Sequence, residues 1–174
     1  MEVAGGRAAL DSLKAEAARL REENEVLEKQ GKQLEKEVQQ MKAQGAQAQA
    51  REMTGERERD VWVIELGPYE SKVYLEKMEG LDQRSLRSVT DEICRTNPRS
   101  LALLWNPSGQ VVAASGAQIK GFFPATQLLK IANQVAGGSG GGRDELAQGG
   151  IEDVSKMEKE KIKQLIRSYA GPRK

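Results

Sequence analysis

The sequence predicts an α+β protein: an N-terminal coiled-coil helix followed by a small mixed-sheet sandwich covered by helices. Three observations lead there. A seven-residue apolar repeat runs over residues 10–41. Strand-like runs then alternate with amphipathic stretches in the order β-β-α-β-β-α-loop-α. The chain has 174 residues, 38% hydrophobic and 30% charged, which is material for one modest core plus an extension.

In the repeat, Leu13, Leu20, Leu27, Leu34 and Met41 fall at one heptad position. Leu10, Ala17, Asn24, Gly31 and Val38 fall at the other. With Lys, Arg, Glu and Gln between them, this is a coiled-coil pattern, about 48 Å long at ~1.5 Å per residue. A leucine stripe on a lone helix would face water, so the rod needs a partner. A second copy of the chain is the plain choice, meeting it through Leu13, Leu20, Asn24, Leu27, Leu34 and Val38. Asn24 would set register as a polar group in the seam. Folding back on residues 46–60, or docking on another protein, are the alternatives. After a rod of residues 1–45, residues 46–60 read as a polar helical connector, interrupted near Gly45 and Gly55.

Residues 61–174 read as the globular part. Val61–Leu66 is apolar and β-branched, and Gly67-Pro68 ends it as a strand. Lys72–Met78 reads as a second strand. Asp82 can cap a helix with Leu86, Val89 and Ile93 on one face, and Asn97-Pro98 stops it. Leu101–Trp105 and Gln110–Ser115 flank Asn106-Pro107-Ser108-Gly109, a type I turn pattern, and so form a hairpin. Pro124 opens a helix with Leu128, Ala132 and Val135 on one face. A glycine loop follows, then a last helix carrying Ile151, Val154, Ile162, Leu165 and Tyr169. Trp62 and Trp105 are expected in the core, and Cys94 is expected to pack as a small apolar group.

Composition excludes several chemistries. With no histidine and one cysteine, the commonest general base is missing and a zinc site is not expected. No cofactor is expected either. Asp82, Asp91, Glu92, Asp144 and Glu145 are the acids a hydrolase could use, yet they show no paired or metal-ligating spacing. No apolar run approaches the ~20 residues of a membrane span. The start of the chain lacks a basic flank and apolar stretch, so a cytoplasmic protein is expected. Net charge is +1, divided as 11 basic and 13 acidic residues in 1–60, 9 and 9 in 61–150, and 7 and 4 in 151–174. Nucleic-acid binding would therefore need a local patch.

Residues 136–150, AGGSGGGRDELAQGG, hold seven glycines. A flexible tether is one reading. The other is a cradle in which amides of Gly138, Gly140, Gly141 and Gly142 hold a phosphate oxygen beside the Arg143 guanidinium. It is not a Walker loop, because no Gly-Lys-Ser/Thr follows, nor the dinucleotide fingerprint, because a helix precedes it.

Gly137-Gly-Ser-Gly-Gly-Gly-Arg143 followed by Leu146-Ala-Gln-Gly-Gly150 resembles the glycine motif in the C-terminal domain (C-Ala) of alanyl-tRNA synthetase. That is the DHH-associated domain shared with RecJ-type phosphoesterases. Glu79-Gly-Leu-Asp82, the strand pair 101–115 and Lys120-Gly121 stand in the same order, over roughly residues 61–168. The family's Arg-Pro-Asp is Arg143-Asp144-Glu145 here, and Phe122-Phe123 replaces the small residues usual after Lys-Gly. The Asp-His-His motif of the phosphoesterases is missing, as are the synthetase's catalytic domain and the metal-ligand set of its editing domain. The resemblance therefore implies a non-catalytic module binding structured RNA, in the first place tRNA. The candidate phosphate contacts are Gly138, Gly140, Gly141, Gly142 and Arg143, with Lys120 and Gln148 around them and Phe122 added by this chain's own sequence. Phe122 or Phe123 could stack on a base, and Lys156, Lys159, Lys161, Lys163 and Arg167 could form a basic stripe. An adaptor that binds a synthetase or ribosome through protein contacts is the other reading.

Overall fold

The computed structural model describes residues 2–55 and 61–171; for residues 2–5, 47 and 49–55 it describes the helical backbone alone. Helix α1 spans Glu2–Gly55. It divides between two compact units, residues 1–41 and 42–174. In the first unit every described side chain is exposed, including Leu10, Leu13, Leu20, Leu27, Leu34 and Val38. The expected break near Gly45 is absent. One glycine costs a helix about 1 kcal/mol, and Ala46 next to it is fully buried in the second unit's core. Residues 56–60 of the predicted connector lie outside the described residues.

The second unit continues with β1 (Trp62–Leu66), β2 (Tyr69–Lys77), α2 (Gln83–Thr96), β3 (Ser100–Trp105) and β4 (Gln110–Ser115). Then come α3 (Ala125–Ala136), β5 (Gly138–Gly142), β6 (Leu146–Ile151), a 3-10 turn at Val154–Lys156, and α4 (Lys159–Ala170). The six strands form one sheet in the order β1-β2-β3-β4-β6-β5. Only the β2–β3 pair is parallel. A parallel pair needs a crossover, and α2 supplies it.

The local chemistry explains the boundaries. Asp82 caps α2, its carboxylate accepting the Ser85 amide at 2.9 Å. That bond, the Ser85 hydroxyl and Lys42 at 3.6 Å hold the carboxyl below its ordinary range. At the other end Asn97 N–H closes on Ile93 O before Pro98 stops the helix. In the β3–β4 turn Gly109 N–H donates to Asn106 O at 3.1 Å, with Gly109 at φ +81°. The Asn106 side chain locks the turn by donating to Leu81 O and accepting from Gln110 N–H.

Alternation along β3 divides the core. Leu101, Leu103 and Trp105 point to the α3 and α4 side, and Ala102 and Leu104 to the α2 side. On the first side they meet Phe123, Leu128, Ile162 and Ile166; on the second, Leu86, Val89 and Ile93. Each fully buried leucine contributes about 2 kcal/mol. Cys94 borders the second cluster with Sγ 3.8 Å from Ser100 O. Burial pushes its thiol up to about 11. We expect Cys94 to resist a thiol reagent in the folded protein and to react at the free-cysteine rate once urea unfolds the domain. Equal rates in both states would disprove the burial.

Three expectations change. Residues 138–142 are not a loop but strand β5, and residues 146–151 are strand β6. Ile151 therefore ends a strand, Val154 sits in the 3-10 turn, and the last helix starts only at Lys159. The second strand begins at Tyr69, three residues before Lys72.

Glycine is a poor strand former, so β5 exists through its neighbour. Its five residues pair with β6, which is itself paired to β4. The hairpin is so close that a Cβ on Gly140, Gly142 or Gly149 would fall 2.5, 2.3 or 2.3 Å from a backbone oxygen of the facing strand. Much of the motif's glycine content thus serves strand contact.

Candidate nucleic-acid interface

The β5–β6 turn and the segment before α3 are fastened together by backbone bonds. Arg143 N–H donates to Leu146 O at 2.8 Å, closing the turn at Asp144-Glu145. Asp144 O accepts the Ala125 amide at 2.8 Å, satisfying an orphan donor at the start of α3. Glu145 O accepts the Ser115 amide at 2.9 Å. Facing the turn, residues 116–123 fold tightly: Lys120 N–H bonds Gly116 O, and Phe123 N–H bonds Ile119 O. Ile119 and Phe123 are fully buried and anchor the segment from below.

Between these two pieces lies a cleft of about 590 Å³, bordered by Gln118, Lys120, Phe122, Arg143, Asp144 and Glu145. Lys120, Phe122 and Arg143 are 23 residues apart at the extremes and were each marked by the sequence; the fold brings them to one place. The phenylalanine ambiguity is also resolved. Phe123 is core, edge-on to Tyr169 with ring centroids 4.8 Å apart. Phe122 is 44% exposed and edge-on to Tyr69 at 6.0 Å. Next to it the Arg99 guanidinium lies 5.0 Å over the Tyr69 ring and donates to Gln118 at 2.7 Å. Tyr69, Arg99 and Gln118 had no signal in the sequence, because only the sheet order brings them to Phe122.

Electrostatically the cleft is mixed. Lys120 Nζ is paired with the Glu145 carboxylate. The hydrogen bond from Lys120, then its charge, and the nearby Arg143 hold the Glu145 carboxyl below its ordinary range.

The glycines themselves do not make a concave nest. Given the Arg143–Leu146 bond, the antiparallel register puts the hydrogen-bonded pairs at Gly141–Gln148 and Ser139–Gly150. Gly138, Gly140 and Gly142 then turn their amides to the outer edge of the sheet. Successive N–H groups in a strand point opposite ways, so they cannot converge on one oxygen. Gly138, Gly140, Gly141, Gly142 and Gln148 are not among the residues lining the cleft.

Four of the five cations of the expected basic stripe are paired with acids. Lys161 pairs with Glu158 and Lys163 with Glu160, both at 2.7 Å, and Lys159 reaches Glu76 at 2.8 Å. Lys156 pairs with Asp153, and the Arg167 guanidinium lies over the Trp62 ring. Among the described residues no group of three or more Cys, Asp or Glu could hold a metal ion. No described helix is long and apolar enough to cross a membrane.

The second unit is an α+β domain: a mixed six-stranded sheet flanked by helices, with the glycine hairpin β5–β6 at one edge. The chain belongs to the DHHA1 domain family, whose pattern matches residues 70–171. It is similar to the alanine–tRNA ligase of Pseudomonas entomophila (strain L48), 33% identical over 91 residues. It is also similar to that of Xanthomonas euvesicatoria pv. vesicatoria (strain 85-10), 40% identical over 86 residues. These alignments cover 51% and 47% of the chain but 10% of each ligase, so the chain spans about a tenth of the curated relatives it matches. In fold it is similar to the C-Ala domain of Aquifex aeolicus alanyl-tRNA synthetase, with TM-score 0.54 and 19% identity. That likeness covers 64% of the chain and 99% of the Aquifex domain.

Proposed function

We propose that this protein is a non-catalytic nucleic-acid-binding module, with tRNA or a similar structured RNA as ligand, which self-associates through the leucine seam of α1. The observation that carries the reading is the cleft, where Arg143, Lys120 and the exposed Phe122 border one space. An arginine fork suits phosphate oxygens, a lysine adds a point charge, and an exposed ring offers a stacking face. The ligase relatives and the C-Ala likeness support tRNA as the ligand.

Backbone contacts of this kind make affinity fall with salt. Arg143→Ala should weaken binding of total tRNA by about 3- to 10-fold at low salt. It should also reduce the slope of log K against log salt by about one. Fluorescence anisotropy across a salt series measures both, and an unchanged slope would remove Arg143 from the interface. The near-neutral net charge of +1 favours a second reading, an adaptor that binds a synthetase or ribosome through protein contacts. Such an adaptor would bind its partner with little dependence on salt.

A further inference from the structure

We infer that Glu145 is an internal anion occupying the cation site of the cleft, and that a ligand phosphate binds by displacing it. The inference rests on the reading of the cleft as a phosphate site.

One carboxylate already sits on the cation that an entering phosphate would approach. Lys120 Nζ is engaged by Glu145 Oε1, and Arg143 stands close enough to act on the same carboxylate. The charged groups bordering the cleft are Lys120, Arg143, Asp144 and Glu145, with Arg99 at the rim held on Gln118. Glu145 cannot drift far, because its carbonyl is tied to Ser115 N–H and that of Asp144 to Ala125 N–H. A phosphate entering beside Arg143 and Lys120 meets the negative charge of the Glu145 carboxylate, and repulsion between the two anions favours exchange over sharing. The exchange breaks one ion pair and makes another, with no covalent change.

The direction with pH follows. In the free protein Lys120 keeps the Glu145 carboxyl below its ordinary range. Displaced by phosphate, the carboxylate loses that hydrogen bond and faces a new negative charge, so its pKa rises. A group whose pKa rises on binding takes up a proton, so affinity increases as pH falls between the free and bound values. Above both values affinity is flat.

The test uses the full chain and two probes. Total tRNA binding is measured at fixed ionic strength from about pH 7.5 to 4.5, a range reaching the ordinary carboxylate region. Glu145→Gln should bind about two- to fivefold tighter at neutral pH and lose the gain on acidification. Asp144→Asn should keep that gain. A Glu145→Gln variant no tighter than wild type, with the acid gain intact, overturns the inference. The second probe is inorganic sulfate, followed by NMR titration of the Glu145 carboxyl. Its pKa should rise in saturating sulfate, and a value indifferent to sulfate overturns the inference without reference to RNA. If the full chain binds no tRNA at any pH, the nucleic-acid reading fails, and the sulfate titration still decides whether anion exchange occurs.

Discussion

Gly138→Ala is expected to destabilise the domain by about 2–4 kcal/mol, whereas Gly141→Ala, three residues on, should be neutral or stabilising by up to about 1 kcal/mol. Gly138 has φ +124°, a conformation L side chains rarely adopt, and a Cβ there would lie 2.0 Å from Gly150 O. The alanine could be accommodated only by opening the start of the hairpin, which loosens β5 from β6 and β6 from α3. Gly141 has no such φ, and a Cβ there meets nothing within 4 Å. Urea denaturation of the two variants measures the contrast. Equal midpoints would show that the glycine strand is not packed against β6 as described. The contrast also separates fold from site. Arg143 is positioned by the hairpin turn, so Gly138→Ala should weaken RNA binding through lost structure, while Arg143→Ala should weaken it at unchanged stability.

What the sequence made legible was what side chains write locally. Asp82 and Asn97-Pro98 delimit α2 because a capping carboxylate and a proline act within one turn of the chain. Asn106–Gly109 predicts its hairpin for the same reason. Strand β5 was not legible because glycine carries no side-chain pattern, and its conformation is imposed by β6. Ile151 and Val154 misled because their spacing to Ile162 suits a helix, while burial against the α3-side core puts Ile151 at the end of a strand. Gly45 misled in the opposite sense, since propensity alone could not foresee that Ala46 would be seated in the α2-side core. At the cleft, Arg143 and Lys120 stood out by residue type and by resemblance, and Phe122 by residue type alone. The Lys120–Glu145 pair joins residues 25 apart in sequence, and the Arg99–Tyr69 contact links the segment before β3 to the start of β2. Both depend on strand order, which local patterns do not encode.

Under the proposed self-association through α1, changing Leu20 and Leu27 together to aspartate should leave the chain monomeric. The two side chains are 54% and 61% exposed on a helix whose described side chains from Gly6 to Gly45 are all exposed. In water such a helix has weak support of its own. The Arg19–Glu23 ion pair at 3.0 Å and the Gln33–Glu37 hydrogen bond at 3.1 Å each contribute a few tenths of a kcal/mol, and Gly31 opposes them by about 1 kcal/mol. A seam shared between two copies would bury each leucine for about 1.5–3 kcal/mol. The double substitution removes four leucines from that seam and brings four carboxylates together. The dissociation constant should therefore rise more than about a hundredfold, equivalent to about 3 kcal/mol. Helix content should fall with association. Sedimentation velocity and circular dichroism, run together across a concentration series, measure both. Asn24→Leu is the opposing control: it adds apolar surface to the seam, so association should persist while the polar constraint on strand number is lost. A wild-type chain that stays monomeric at about 100 µM would exclude self-association through this seam. The exposed leucines would then have to be covered by a helix of another protein, and the adaptor reading would gain at the expense of the dimer.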